Sequence, residues 1–236
     1  MHVTHYSSPP LPLVQQIALD QLLLAGVSHG QVPELVRFYS CVDEGIVLGI
    51  AQNPATTVHA DRARQERLSV LKRFSGGGTV LIGHGCLLFT IVLETGKRVP
   101  PYAVRRAYEY VFEPLIAAFS EHGIPVAFHP PCDLAVHGRK IAGTAQAQKR
   151  GAVLVHGCLL IDEDLARIER CLRHPPAEPA YRRGRPHGEF LCNLSELGLD
   201  RAATERILST AWASSEPPRH LDKELLQAAR TAVQPL

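Results

Sequence analysis

Lysine is scarce in this chain: Lys72, Lys97, Lys140, Lys149 and Lys223 are five of its 25 basic residues, and arginine supplies the rest. Genomic composition accounts for such a bias, but each retained lysine is also a candidate for work that needs a compact, pKa-mobile cation. Net charge is nearly absent. A formal +2 over 236 residues gives no broad basic surface, which argues against nucleic acid or an anionic membrane as partner. No apolar run reaches about eighteen residues and no leader-like segment opens the chain, so neither a membrane span nor secretion is expected. The six cysteines, at 41, 86, 132, 158, 171 and 192, contain no CxxC pair and read as free thiols in a reducing cytoplasm. The twelve histidines form neither HExxH nor a Cys/His cluster at zinc spacing, so no structural metal is expected. Internal repeats and low-complexity tracts are also missing.

What is present is an ordinary globular composition, 45% hydrophobic and 20% charged, in a length that suits one domain over 1–236 with a substantial core. Residues 1–12 read as an irregular arm. A helix is expected over 13–25, with Val14, Ile17, Ala18, Leu22 and Ala25 on its inner face. Segments 35–41 and 45–51 read as strands joined by the acidic turn Asp43-Glu44-Gly45. A short polar helix over 60–67 precedes strands at 69–74, 79–82 and 87–94. The clearest helix spans 102–121, where Val104, Ala107, Tyr108, Val111, Leu115, Ala118 and Phe119 fall at helical spacing and His122-Gly123 closes it. Strands follow at 126–128, 133–137, 140–145 and 152–161, then helices at 163–172, 201–213 and 221–232. Residues 174–188, rich in proline and arginine, read as a mobile basic loop. Strands and helices mix without βαβ alternation, so the expected class is α+β, a mixed and largely antiparallel sheet flanked by helices.

Two stretches carry the chemistry. In Lys72-Arg73-Phe74-Ser75-Gly76-Gly77-Gly78-Thr79-Val80, a basic apolar run breaks into three glycines and then resumes with Thr79 and Val80. Such glycines let backbone approach a ligand closely, and their N–H groups can converge on an anion, with Arg73 and Ser75 as further donors. The same residues also make a tight hairpin or bulge. The pattern is neither GxGxxG nor a Walker loop, because no GK[ST] follows. In Gly138-Arg139-Lys140-Ile141-Ala142-Gly143-Thr144-Ala145-Gln146, a turn delivers Lys140 to the head of a strand of small residues, which leaves room for a substrate on one face. A lysine so placed neutralises a carboxylate or phosphate during attack, or is a solvated hairpin residue. His156-Gly157 lies in the apolar run 153–161, either as a hydrogen-bonded core histidine or as a point of close approach.

These stretches occur with Leu48-Gly49-Ile50-Ala51-Gln52-Asn53-Pro54, Cys132-Asp133-Leu134-Ala135-Val136, His156-Gly157-Cys158-Leu159-Leu160 and Asn193-Leu194-Ser195-Glu196-Leu197. In that order, over about 13–200, the chain resembles the lipoate-protein ligase A family, within the lipoate/biotin protein ligase and octanoyltransferase superfamily. The resemblance implies a biotinyl/lipoyl-transferase fold, similar to the class II tRNA synthetase core. It implies that Arg73, Ser75, Gly76, Gly77, Gly78, Thr79 and Val80 line an acyl-adenylate pocket, with Val80 on the adenine side. Asp133 is then placed near magnesium or adenylate, and Lys140 against the acyl carbonyl and phosphate. Gly143, Thr144, Ala145, His156 and Gly157 are then assigned to the acyl tunnel and its mouth. ATP with Mg and lipoate (or octanoate) are the implied reactants. The implied partners are lipoyl carrier domains, such as the glycine-cleavage H protein or a dehydrogenase E2, and in split ligases a separate accessory chain. A full C-terminal accessory domain is not expected. The chain departs from the family pattern at Ile82-Gly83, where ligases often show His-Asp, at Cys86, where they often show Asn, and at Ala147, where an arginine is common. These changes are read as lost phosphate or magnesium contacts.

Three activities stay open. The first is ATP-dependent ligation through an acyl-adenylate. The second is octanoyl or lipoyl transfer without ATP through a Cys-Lys pair, with Cys132 and then Cys158 as candidate nucleophiles, each otherwise a small buried apolar residue. The third is a non-catalytic lipoyl-binding module. Biotin ligation is disfavoured because the Gly-Arg-Gly-Arg-type adenylate loop is missing.

Overall fold

The computed structural model describes residues 2–231. In chain order the elements are β1 (Thr4–Ser7), α1 (Leu13–Ser28), β2 (Leu35–Tyr39), β3 (Gly45–Leu48), α2 (Pro54–Thr57), α3 (Ala60–Gln65), β4 (Ser69–Lys72), β5 (Val80–Ile82), β6 (Cys86–Glu94) and α4 (Val104–Glu121). Then come β7 (Val126–His129), β8 (Asp133–Val136), β9 (Arg139–Lys149), β10 (Ala152–Leu160), α5 (Leu165–Cys171), α6 (His187–Phe190), a 3-10 turn (Leu194–Leu197), α7 (Arg201–Trp212), β11 (Arg219–His220) and α8 (Lys223–Thr231). An eight-stranded sheet runs β11-β1-β2-β6-β10-β9-β8-β7, and a three-stranded sheet runs β4-β3-β5. The long central pairings are antiparallel, as expected for an α+β fold.

Period-two alternation along β6 gives the large sheet two different faces. Leu87, Phe89, Ile91 and Leu93 join Val153 and Val155 beneath α4 and α7. There the Trp212 indole donates to the Val111 carbonyl at 2.8 Å and ties α7 to α4. Cys86, Leu88 and Val92 point the other way, toward the small sheet, α1 and α8. Arg37, Thr90, Asp133, Lys140 and His156 lie on this second face, whereas Thr144 pairs with Gly157 on the first.

Several sequence expectations need correction. The arm is not irregular: Thr4–Ser7 pair in parallel with β2 and β11, and Val3 donates to the Trp212 carbonyl. β2 and β3 belong to different sheets. Asp43 does not close a hairpin between them. Its carboxylate accepts the Leu13 N–H at 2.6 Å, satisfying one orphan donor at the start of α1. On α1 the buried side chains are Leu13, Gln16, Leu19, Asp20, Leu23, Leu24 and Val27, not the face built on Val14, Ile17, Ala18, Leu22 and Ala25. The helix is held between the large sheet and α8, so apolar residues surround it and the 3.6-residue period selects no single side. The last predicted helix extends to 232, which lies outside the described residues.

Candidate active site

Lys140 owes its direction to one extra residue. Along the β8–β9 ladder Asp133 pairs with Gly143 and Leu134 with Ala142, but Ala135 pairs with Lys140, so Ile141 is a bulge. A bulge of one residue reverses the side-chain alternation beyond it. Ile141 and Ala142 therefore both enter the core under α4 and α7, while Lys140 shares a face with Gly143. A side chain at 143 would meet the Lys140 ammonium at 3.1 Å, so glycine there leaves room for the lysine to lie across the strand. Lys140 Nζ reaches Asp133 Oδ1 at 2.7 Å. The other oxygen of Asp133 accepts the Tyr181 hydroxyl at 2.9 Å. Tyr181 belongs to the 174–186 segment and stacks on His129 with ring centroids 4.2 Å apart.

The glycine segment is wrapped around Arg73. The guanidinium donates to the Gly76 and Gly78 carbonyls at 2.6 and 2.8 Å, to Val47 O at 3.2 Å and from Nε to Ser75 Oγ at 3.0 Å. Gly77 sits in the left-handed region at φ 82°, where a Cβ would strain the backbone and meet the Arg73 guanidinium at 2.8 Å. Gly76 N–H is taken by Gln146 O, whereas the N–H groups of Gly77, Gly78 and Thr79 donate to no backbone carbonyl of a described residue. Burial lowers Arg73 to about 10, still well above neutrality, so the loop encloses a permanent cation.

Behind this loop a polar relay crosses the molecule. Ser75 Oγ lies 2.7 Å from His156 Nε2, and His156 Nδ1 lies 2.7 Å from Asp20 Oδ2. The Asp20 carboxylate only accepts, so Nδ1 carries the proton in the bond to Asp20, and in that neutral tautomer Nε2 accepts from the Ser75 hydroxyl. Asp20 Oδ1 accepts from Arg37 at 2.6 Å and from Thr90 at 2.7 Å. Burial pushes the Asp20 carboxyl up, but Arg37 and His156 outweigh it and hold the group below the usual carboxylate range. The polar groups of this relay are thus paired except Arg37 Nε, which is buried without a partner.

Two connected spaces open around these residues. An inner chamber of about 100 Å³ is lined by Leu13, Ile17, Tyr39, Val47, Leu88, Arg73, Thr144, Ala145, His156 and Gly157 among others. An outer cleft of about 520 Å³ lies between Gly77, Asp133 and the 174–186 segment. Gly78, Thr79, Val80, Cys132, Lys140, Gly143 and Cys158 line both. Ser75 and Gly76 line neither; they form the support behind the wall. Burial, then Asp133, pushes the Cys132 thiol up, and Lys140 and Arg73 offset this only in part.

The sequence reading missed Asp20, Tyr39, Tyr181 and Arg182. Asp20 had one usable signal, a lone acid inside the apolar helical run Ala18–Leu24. Tyr181 and Arg182 had none, since their segment read as a mobile basic loop. It folds over the outer cleft instead, with Arg182 only 4% exposed. The departures at Gly83 and Cys86 also look different in three dimensions. Both residues pack against the buried Glu163, whose carboxylate accepts the Cys86 thiol at 3.3 Å, and neither lines the inner chamber or the outer cleft. Ala147 packs under α1, away from the outer cleft.

Residues 12–211 match the family described as Lipoyl protein ligase A/B catalytic domain. A probable lipoate-protein ligase A of Mycoplasma pneumoniae is 30% identical over 155 residues, covering 66% of this chain and 44% of that protein, so the chain spans less than half of this relative. The octanoyltransferase LipM of Lysinibacillus sphaericus is 29% identical over 219 residues, covering 83% of this chain and 79% of that protein. In fold, the chain is similar to a lipoate-protein ligase A crystallised with ATP, with a TM-score of 0.82 at 18% identity, covering 98% of this chain and 94% of that one. A bipartite lipoate protein ligase of Thermoplasma acidophilum, described with its E2 lipoyl domain, gives 0.80 at 19% identity, covering 98% and 91%. With a family match across most of its length, the chain belongs to the lipoyl protein ligase A/B catalytic domain family.

Proposed function

We propose that this protein activates lipoate or octanoate with ATP and transfers the acyl group to a lysine of a lipoyl carrier domain. The observation that carries this reading is the position of Lys140, in the wall common to the inner chamber and the larger outer cleft. An acyl chain in the inner chamber brings its carboxylate to Lys140, and the outer cleft receives the nucleotide. Carboxylate oxygen attacks the α-phosphorus and pyrophosphate leaves. The carrier amine then attacks the acyl carbonyl, an amide forms and AMP departs. Lys140 stabilises charge on the acyl and phosphate oxygens in both steps, and the free N–H groups of Gly77, Gly78 and Thr79 are further donors. No group of three or more His, Cys, Asp or Glu side chains able to hold a metal ion occurs among the described residues, so magnesium is expected to arrive on the ATP phosphates. The carrier is of the kind represented by glycine-cleavage H protein or a dehydrogenase E2.

A second reading rests on Cys132, which stands beside Lys140 in both spaces and could carry an acyl thioester without ATP. Its raised thiol pKa leaves little resting thiolate and favours the first reading. Intact-mass analysis separates the two. A lipoyl carrier domain incubated with the protein should gain one acyl group from lipoate only when ATP is present. Acylation from octanoyl-carrier protein without ATP, with an octanoyl adduct on Cys132, would replace the ligase reading by the transferase one. Lipoate binding with no acylation of any carrier would leave a binding module.

A further inference from the structure

The cations around the outer cleft are mostly engaged. Lys140 is paired with Asp133, and Arg73 donates to three backbone carbonyls and Ser75. Arg173, also in the wall, gives its Nε–H to Val58 O at 3.1 Å. Arg185 turns onto the Gly138 and Tyr181 carbonyls at 2.8 and 2.9 Å.

Arg182 differs. It lies in the cleft wall with 4% of its surface exposed, and its Nη2 is buried without a hydrogen-bond partner. Its Nε donates to Arg185 O at 2.9 Å, and the guanidinium rests 4.8 Å above the Phe190 ring. Glu178 approaches Nε no closer than 3.6 Å, and its carboxylate already faces His174 and the Gly184 N–H. The segment is anchored beside the active lysine through Tyr181 and Asp133. A second orphan, Thr79 Oγ1, belongs to the glycine wall of the same cleft. A buried guanidinium N–H with no acceptor is costly, and so is a buried hydroxyl.

We propose that Arg182 is an anion-binding residue of the outer cleft and that the anion is a phosphate carried by the acyl donor. This rests on the reading that the cleft receives an activated acyl group. A planar guanidinium fork matches the paired oxygens of a phosphate better than a single carbonyl. Two donors carry such a phosphate: a nucleotide in the ligase reading, and the phosphodiester of a phosphopantetheine arm in the thioester reading.

Calorimetric titration of the full chain with two matched pairs tests the assignment: ATP against adenosine, and octanoyl-phosphopantetheine against octanoyl-pantetheine. In at least one pair the wild type should prefer the phosphate-bearing member. Arg182→Ala should reduce that preference about tenfold or more, as expected for a charge-assisted hydrogen bond, while the unphosphorylated member binds as before. Arg182→Lys should restore part of it and serves as the check that the fold is retained. A preference unchanged in Arg182→Ala, equal weakening of both members of a pair, or no phosphate preference in the wild type would each overturn the proposal. A preference confined to the pantetheine pair would keep the phosphate site and overturn the ligase reading. ATP-dependent carrier acylation together with an unaffected Arg182→Ala would do the reverse.

Discussion

The inner chamber and the outer cleft share Lys140 and the Gly78–Val80 wall, yet their polar groups are paired to different degrees. Around the chamber, Arg73, Ser75, His156, Asp20, Arg37 and Thr90 form one continuous hydrogen-bonded relay, in which Arg37 Nε is the buried atom without a partner. In the cleft wall Arg182 Nη2 has no partner, and neither has Thr79 Oγ1 in the wall that the two spaces share. Burying a paired network fixes a shape, whereas an unpaired donor in the wall of an open cleft is available to a ligand. The relay therefore reads as architecture, despite a serine, histidine and aspartate in hydrogen-bonded sequence. Ser75 opens onto neither space, so a nucleophile at that position has nothing to attack.

If this contrast is right, the relay should be most sensitive in stability and the shared wall in chemistry. The largest effect is expected from Asp20→Asn, which leaves Arg37 buried without its counter-ion and should cost about 3–5 kcal/mol in denaturant unfolding. The same variant tests pH dependence. Asp20 sits below the ordinary carboxyl value in the fold, so its stabilisation is complete above the unfolded value of about 3.9 and is lost as pH falls through the folded one. The wild type should thus lose stability more steeply than Asp20→Asn below about pH 4. Next, Lys140→Met should lower carrier acylation about 10²–10³-fold, as loss of one charge-stabilising donor does, with a far smaller change in unfolding. A collapse of the fold instead would make Lys140 structural. Arg73→Lys keeps the charge but loses the fork that holds Gly76 and Gly78, and about 1.5–3 kcal/mol of stability should go with it. The smallest effect is expected from Cys132→Ser, which should change ATP-dependent acylation by less than about threefold, since a neutral thiol supplies no nucleophile. A loss of a hundredfold or more there would move the chemistry to the thioester route.

Much of this arrangement is legible in the chain. The α+β class, the long helix at Val104–Glu121, and the meeting of the glycine run with Gly138–Gln146 and His156-Gly157 follow from periodicity and from motifs in family order. Apolar alternation is local, and it survives folding wherever one face is buried. The failures are equally specific. Residues 174–186 carry the composition of a solvated loop, and only their contacts with Asp133, Phe190 and Gly138 make them a wall. Gly83 and Cys86 read as lost ligand contacts until Glu163, about eighty residues later, is found against them.

The sequence alone determined the class of fold, because strand alternation, helix spacing and glycine backbone freedom are properties of neighbouring residues, and its resemblance to a known family implied which short segments would meet. Only the tertiary structure decided where those segments point and what state their polar groups are in. The Ile141 bulge turns Lys140 from the core to the site, and that shift depends on pairing with β8 rather than on the β9 sequence. Asp20 meets His156 across 136 positions, and Arg182 Nη2 is left without a partner by everything folded around it. Hydrogen-bond satisfaction is a property of the whole packed interior, so no local pattern could have announced it.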